Sequence, residues 1–251
     1  MNLPVALQSE LSRSASEARK IVVNFVPTDR YLNPPANTPY PLEYSFHLLG
    51  DATGRRVLDL GCGSGEELIP LIRRGANVIG IDVSPDLIAI AERRLCEGRL
   101  EAELRVASAY ATELPDSSVD VIFCMSLIHH LELSRSKDEM LRILRPGGFI
   151  VLKEPIRFSR AYDRLRSFLP NHEDISDDEY PLTKDEFLGF QERFKSDGLR
   201  FFRLPLVPLV QRTIPAAQIP AFRLSNSLLT KFPSLSHYAT VAVVRLRKSA
   251  D

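Results

Sequence analysis

Cysteine is scarce in this chain, and what there is does not pair. Cys62, Cys96 and Cys124 are odd in number, lie 34 and 28 residues apart, and form no CxxC. Such a set fits neither a disulfide framework nor a zinc site, and points to a reducing, cytoplasmic setting. Net charge is missing too: 32 basic residues cancel 32 acidic ones. No global field exists for nucleic acid or an anionic membrane, so neither is the default partner. No run of about 18 apolar residues occurs, so no stable membrane insertion is expected. Glu10, Arg13, Glu17, Arg19 and Lys20 interrupt the apolar core that an N-terminal secretory signal would need. No metal is expected either. The histidines are His47, His129, His130, His172 and His237. Only two are neighbours, and a lone adjacent pair does not mark a metal site.

What is present is ordinary globular material. The chain has 251 residues, 44% hydrophobic and 25% charged, enough for one large domain with appendages. No repeat or low-complexity tract appears.

The first 54 residues differ from the next hundred. Val5–Val26 reads as a weak helix, Pro27–Pro41 as an extended proline-rich loop, and Leu42–Leu49 as a helix stopped by Gly50. From Arg55 short apolar runs alternate with amphipathic helices. Strands are expected at Arg56–Leu60, Asn77–Ile81, Leu104–Ala107, Val119–Cys124 and Phe149–Lys153. Helices are expected at Glu66–Arg74, with Pro70 kinking it or shifting its start, at Pro85–Cys96 behind a Ser84 cap, and at Ser136–Leu144. This alternation means a parallel sheet covered on both faces. Further on, a helix is expected over Arg157–Leu169, an acidic loop over Asn171–Tyr180, and a helix over Thr183–Ser196 opened by a Thr183/Glu186 capping box. Leu199–Leu204 and His237–Arg247 read as strands, with the proline-rich stretch 205–233 between them unassigned.

The sharpest signal is Val57-Leu58-Asp59-Leu60-Gly61-Cys62-Gly63-Ser64-Gly65, a buried strand running into a glycine turn. The glycines allow tight turning and close approach of a ligand to the main chain. Seventeen residues after Gly65 the next strand ends at Asp82, where a carboxylate can receive a ribose diol. An adenosine-containing ligand at the carboxyl edge of the sheet follows. A dinucleotide site wants a glycine where Glu66 stands, and Glu66 and Asp59 both disfavour a diphosphate. Asp59 suits a cationic ligand better.

Asp59–Gly65 resembles the first motif of the class I S-adenosylmethionine-dependent methyltransferases, and Gly80–Ser84 resembles the second. Glu113–Ile122 and Leu144–Phe149 are similar to the family's approaches to its fourth and fifth strands. The likeness spans about Arg55–Glu154 and points to the small-molecule (type 11/12-like) branch. It implies a doubly wound, mostly parallel, seven-stranded Rossmann-like α/β sheet with an N-terminal helical lid and an insertion after the fifth strand. The corresponding division is lid 1–54, cofactor-binding core 55–154, acceptor-side insertion with remaining sheet elements 155–236, and C-terminal strand 237–251. The implied cofactor is S-adenosyl-L-methionine, leaving S-adenosyl-L-homocysteine. Implied cofactor residues are Asp59, Gly61, Cys62, Gly63, Ser64, Gly65, Asp82, Val83, Tyr110, Ala111 and Met125. Where the family often has Asp-Ala before Leu-Pro, this chain has Tyr110-Ala111, so Tyr110 is expected to flank the adenine.

His129 and His130 follow the fourth strand where the methyl acceptor is expected, and His130 resembles a histidine common there. Either ring can take a proton from a hydroxyl, though transfer by proximity alone is also workable. Asn33-Pro34-Pro35 lacks a following aromatic and reads as loop, Cys62 reads as a small residue, and Glu173–Glu179 reads as a solvated acidic run. Phe201, Phe202, Leu204, Leu206, Val207, Leu209 and Val210 would line an apolar acceptor pocket, fill core, or form a dimer surface. The expected protein is a monomeric or homodimeric methyltransferase for a small apolar or aromatic acceptor, methylated on O or N. The alternatives are a non-catalytic cofactor binder and a nicotinamide oxidoreductase.

Overall fold

The computed structural model describes residues 27–159, 180–205 and 214–249, with Ile21, Val23, Val207 and Val210. The helices expected over Val5–Val26 and Arg157–Leu169, and the acidic run Glu173–Glu179, lie wholly or largely outside those residues.

Seven strands form one sheet in the order β3-β2-β1-β4-β5-β7-β6. They are β1 (Arg56–Leu60), β2 (Asn77–Asp82), β3 (Glu103–Val106), β4 (Val119–Met125), β5 (Leu144–Pro155), β6 (Lys195–Phe202) and β7 (Val241–Arg247). β1 to β5 pair in parallel, and β7 runs antiparallel between β5 and β6. The strand order reverses between β1 and β4. In open α/β sheets that switch point leaves a crevice at the carboxyl ends of the strands.

Each central strand is buried on both sides, as parallel pairing requires. Leu58, Ile122, Ile150 and Leu152 feed one apolar layer. Val57, Val121, Phe123 and Val151 feed the other. Into the second layer packs α2 (Pro41–Leu49), with Phe46 4.8 Å from Phe123 between ring centroids. Seven of its nine residues are buried, so this last part of the expected lid is core. Before it, the proline-rich stretch contains one helical turn, α1 (Asp29–Leu32). Arg30 Nε donates to Glu43 of α2 at 2.6 Å and fixes that turn.

Local signals place most boundaries. Ser84 Oγ accepts from Leu87 N and opens α4 (Pro85–Gly98). The Thr183/Glu186 capping box opens α6 (Lys184–Gln191) as the sequence predicts. The helix after β1, α3 (Leu68–Arg73), starts two residues late. This puts Pro70 in its first turn, where a missing N–H costs nothing. α5 (Leu133–Ile143) starts three residues early, capped by Glu132. Two expectations are corrected. α6 stops at Gln191 rather than Ser196, because Arg193 turns left-handed (φ 75°) and the chain enters β6. The unassigned stretch contains a 14-residue helix, α7 (Gln218–Lys231), and the last strand starts at Val241 rather than His237, after a short 3₁₀ segment.

Candidate active site

The glycine turn leaves β1 and passes under β2. Gly61 and Cys62 both donate to Ile81 O, at 2.8 and 3.0 Å. Gly65 has φ 80°, and a Cβ there would lie 2.9 Å from Ala91 Cβ on α4. Gly63 has φ 50° and open space where a Cβ would be, so a ligand can rest against its backbone. Cys62 turns inward and is 4% exposed. Burial pushes its thiol far above the ordinary range, so it is filler, not a nucleophile. Arg94, almost fully buried on α4, holds the Ser64 carbonyl through Nε at 2.9 Å. Nothing in the local sequence marks that arginine.

Asp82 ends β2 and closes the turn from the other side. Its Oδ2 accepts from Gly63 N and its Oδ1 from Ser84 N, each at 2.9 Å. Burial raises its pKa, partly offset by those N–H groups. Each oxygen keeps a second lone pair for a ligand hydroxyl. Half-buried Val83 sits between Asp82 and the cap of α4.

Asp59 is the anomaly of β1. It occupies a central strand position, is 2% exposed, and its Oδ2 has no hydrogen-bond partner. Its pKa lies well above the carboxylate range, through burial and then the nearby Glu67 and Asp82. An orphaned carboxylate oxygen among acids is a socket for positive charge. Among the described residues no three His, Cys, Asp or Glu gather closely enough to hold a metal ion.

Tyr110 flanks the same edge. Its hydroxyl accepts from Glu132 N at 2.8 Å, and Arg135 Cζ lies 4.6 Å from its ring centroid. The ring is braced against α5 rather than loose in solvent. Ala111 is exposed beside it in a tight Ser108–Ala111 bridge. Met125, half-buried, ends β4.

The edge after β4 is built by a residue not foreseen. Glu154 of β5 is fully buried and accepts from Leu127 N (2.9 Å), Ile128 N (3.0 Å) and His129 Nδ1 (2.7 Å). The carboxylate only accepts, so Nδ1 carries a proton and Nε2 of the neutral ring keeps its lone pair. His129 is nearly sealed, with 3% of its side chain exposed. His130, half-buried, lies against it, tilted by 43°, at 3.9 Å between ring centroids. Glu154→Ala leaves one buried and one part-buried N–H group and an imidazole without an acceptor. It should destabilise the fold by about 3–5 kcal/mol in chemical denaturation. A loss below about 1 kcal/mol would show that the Leu127–His130 turn holds itself.

The apolar residues separate. Phe202 and Val207 are buried, whereas Phe201, Leu204 and Val210 are half-buried. Leu206 and Leu209 lie outside the described residues.

A doubly wound sheet with its polar crevice at the switch point defines a nucleotide-type α/β protein. Residues 58–152 match the family model described as "Methyltransferase domain". The matched stretch runs from β1 into β5. The chain is 31% identical over 128 residues to a ubiquinone biosynthesis O-methyltransferase of Alkalilimnicola ehrlichii, covering 49% of this chain and 51% of that protein. It is 35% identical over 112 residues to the enzyme of that name from Pseudomonas putida, covering 43% and 48%. The chain thus spans about half the length of the relatives it matches. In fold it resembles geranyl diphosphate C-methyltransferase from Streptomyces coelicolor, with TM-score 0.65, 16% identity and 100% of both chains covered. It also resembles the [4+2]-cyclase SpnF, with TM-score 0.61, 17% identity, and 100% and 99% coverage.

Proposed function

We propose that this protein transfers a methyl group from S-adenosyl-L-methionine to an O or N atom of a small, apolar or aromatic acceptor. The observation that carries the reading is the partnerless, buried Asp59 oxygen beside Asp82 at the glycine turn. Fold alone does not decide, since a cyclase shares it. The site does better: a cationic, ribose-bearing ligand answers both its acids. When bound, that cofactor supplies an electrophilic methyl on a sulfonium.

The chain's own residues have the complementary tasks. Asp59 meets the ligand's positive charge, Asp82 accepts from its ribose hydroxyls, and Gly63 leaves the approach open. Gly61, Ser64, Gly65 and Val83 shape the turn, Cys62 fills space behind it, and Tyr110, Ala111 and Met125 border the adenine side. His130, backed by the His129–Glu154 pair, takes the acceptor's proton. Half-buried Leu127, Leu131, Phe158 and Phe201 near that edge suit an apolar acceptor. The ubiquinone biosynthesis O-methyltransferases it resembles fit the same class. Among the described residues no helix is long and apolar enough to cross a membrane.

Calorimetric titration is the test. Saturable binding of S-adenosylmethionine and S-adenosylhomocysteine, with none of NAD, is the expected result; NAD binding alone would refute it. Product formation from a metabolite library then separates an enzyme from a silent binder. Asp82→Asn removes the charge that receives the ribose hydroxyls and should weaken cofactor binding by about 10–100-fold. Unchanged affinity would leave Asp82 only its contacts to Gly63 and Ser84.

A further inference from the structure

We infer that the acceptor carries an oxyanion, a carboxylate in its simplest form, and that Lys153 and Arg203 receive it. This deepens the methyl-transfer reading and rests on it.

Lys153 lies two residues before the end of β5, with its Cα paired to Met125 of β4 and to Val243 of β7. It therefore stands at the carboxyl edge, one residue before Glu154. Its Nζ donates to Ser126 Oγ at 2.8 Å, and its carbonyl accepts from Ser126 N at 2.7 Å. Ser126 itself is left-handed (φ 57°), so the turn after β4 is bent to meet the lysine. An ammonium has three protons, and Ser126 takes one. Among the described residues no carboxylate comes within ion-pair distance of Nζ.

Arg203 follows β6, and its backbone meets Thr240, whose carbonyl accepts from Ile156 N just past the end of β5. Its backbone is left-handed (φ 58°), a costly state for a residue with a side chain. The turn is held because Thr240 donates to the Arg203 carbonyl through N (2.9 Å) and Oγ1 (3.0 Å). The guanidinium packs 5.4 Å from the Phe222 ring centroid. Its Nε is buried and has no hydrogen-bond partner. A charged donor left dry and unpaired is expensive unless something else satisfies it.

The guanidinium of Arg203 bears on the Lys153 ammonium. Burial lowers the pKa of Lys153, and Arg203 lowers it further, while Glu67, Glu154 and Cys124 act in the opposite sense. Burial alone lowers that of Arg203. A bound oxyanion would relieve all three penalties: the free ammonium protons, the orphaned Nε and the mutual repulsion. The guanidinium fork fits a carboxylate in two-point fashion, and the flanking Phe222 suits an apolar body behind it. The site then has two electrical ends. Among the described residues, acids without a counter-cation at β1 and β2 await the cationic methyl donor, and cations without a carboxylate partner at β5 and after β6 await the acceptor. A neutral acceptor would leave the second end unanswered.

The test uses the full chain saturated with S-adenosylhomocysteine and three matched probes: naphthoate, naphthamide and naphthyl phosphate. Calorimetry should show naphthoate binding about 10-fold or more tighter than naphthamide. Arg203→Met and Lys153→Met should each erase that preference, and Arg203→Lys should restore part of it. Tighter binding of naphthyl phosphate than naphthoate would keep the oxyanion site and change its occupant from carboxylate to phosphate. Equal binding of acid and amide, no binding of any probe, or an intact preference in both Met variants overturns the inference. If Arg203→Met fails to fold, Lys153→Met, which keeps the chain length, decides alone. Cofactor titration of the wild type keeps the two readings apart. No cofactor binding sinks methyl transfer, whereas cofactor binding without anion preference sinks only this inference.

Discussion

Asp59→Asn should weaken S-adenosylmethionine binding by about 10–100-fold and at the same time make the ligand-free protein more stable. The two effects share one cause. Asp59 is buried at 2% exposure with an oxygen that bonds to nothing, and Glu67 and Asp82 add to its discomfort. The folded protein therefore holds the Asp59 proton more tightly than the unfolded chain does. For an acid raised in this way, stability is highest below the unfolded pKa. It falls as pH rises towards the folded pKa and stays low above it. An amide removes the charge and recovers about 1–3 kcal/mol at neutral pH, a gain of several degrees in melting temperature for a chain of this size. The cofactor loses its countercharge in the same stroke. Acid should mimic the variant. Wild-type affinity should decline at a pH above the ordinary carboxylate range, since protonated Asp59 and Asp82 no longer attract a cation. Calorimetry across pH, with thermal melts of both proteins, reads all of this. A variant that melts lower and binds as before would make Asp59 a structural residue.

How much of this was legible in the sequence depends on how far apart the cooperating residues lie. The β1–turn–β2 unit was readable because its glycines, Asp59 and Asp82 fall within 24 residues of each other. Local chemistry also announced the Ser84 cap and the Thr183/Glu186 box. Glu154 was not readable. It looks like one more residue after an apolar strand, and only the fold brings it to Leu127, Ile128 and His129. Arg94, Lys153 and Arg203 are hidden for the same reason. Their meaning comes from Ser64, Ser126, Thr240 and Phe222, each reached across the fold. The helix expected over Thr183–Ser196 failed differently. Phe187, Phe190 and Phe194 continue a helical spacing past the true end. The stop is a left-handed arginine, Arg193, where a glycine would have given warning. The antiparallel β7 was likewise invisible, since strand direction depends on the return path and not on the apolar pattern.

The other large effect concerns the histidine pair. Replacing His130 by Ala should lower turnover by about 10²–10⁴ while leaving cofactor affinity nearly unchanged. Glu154 pins Nδ1 of His129 and seals that ring into the fold. His129 is thus a positioning residue, and its tilted neighbour His130 is the ring left half-exposed at the edge after β4. Proton removal as the methyl moves needs an unprotonated nitrogen. The wild-type rate should therefore fall towards acid pH, and the residual rate of the His130 variant should lose that dependence. His129→Ala should act first on stability, because it strips a buried carboxylate of a partner. His129→Asn, which keeps a donor for Glu154, should recover much of both folding and rate. Rates that stay near normal in both alanine variants would mean that positioning alone drives the transfer. A loss that follows His129 in soluble, folded protein, with His130 indifferent, would move the base by one residue and make the Glu154–His129 pair the reacting group itself.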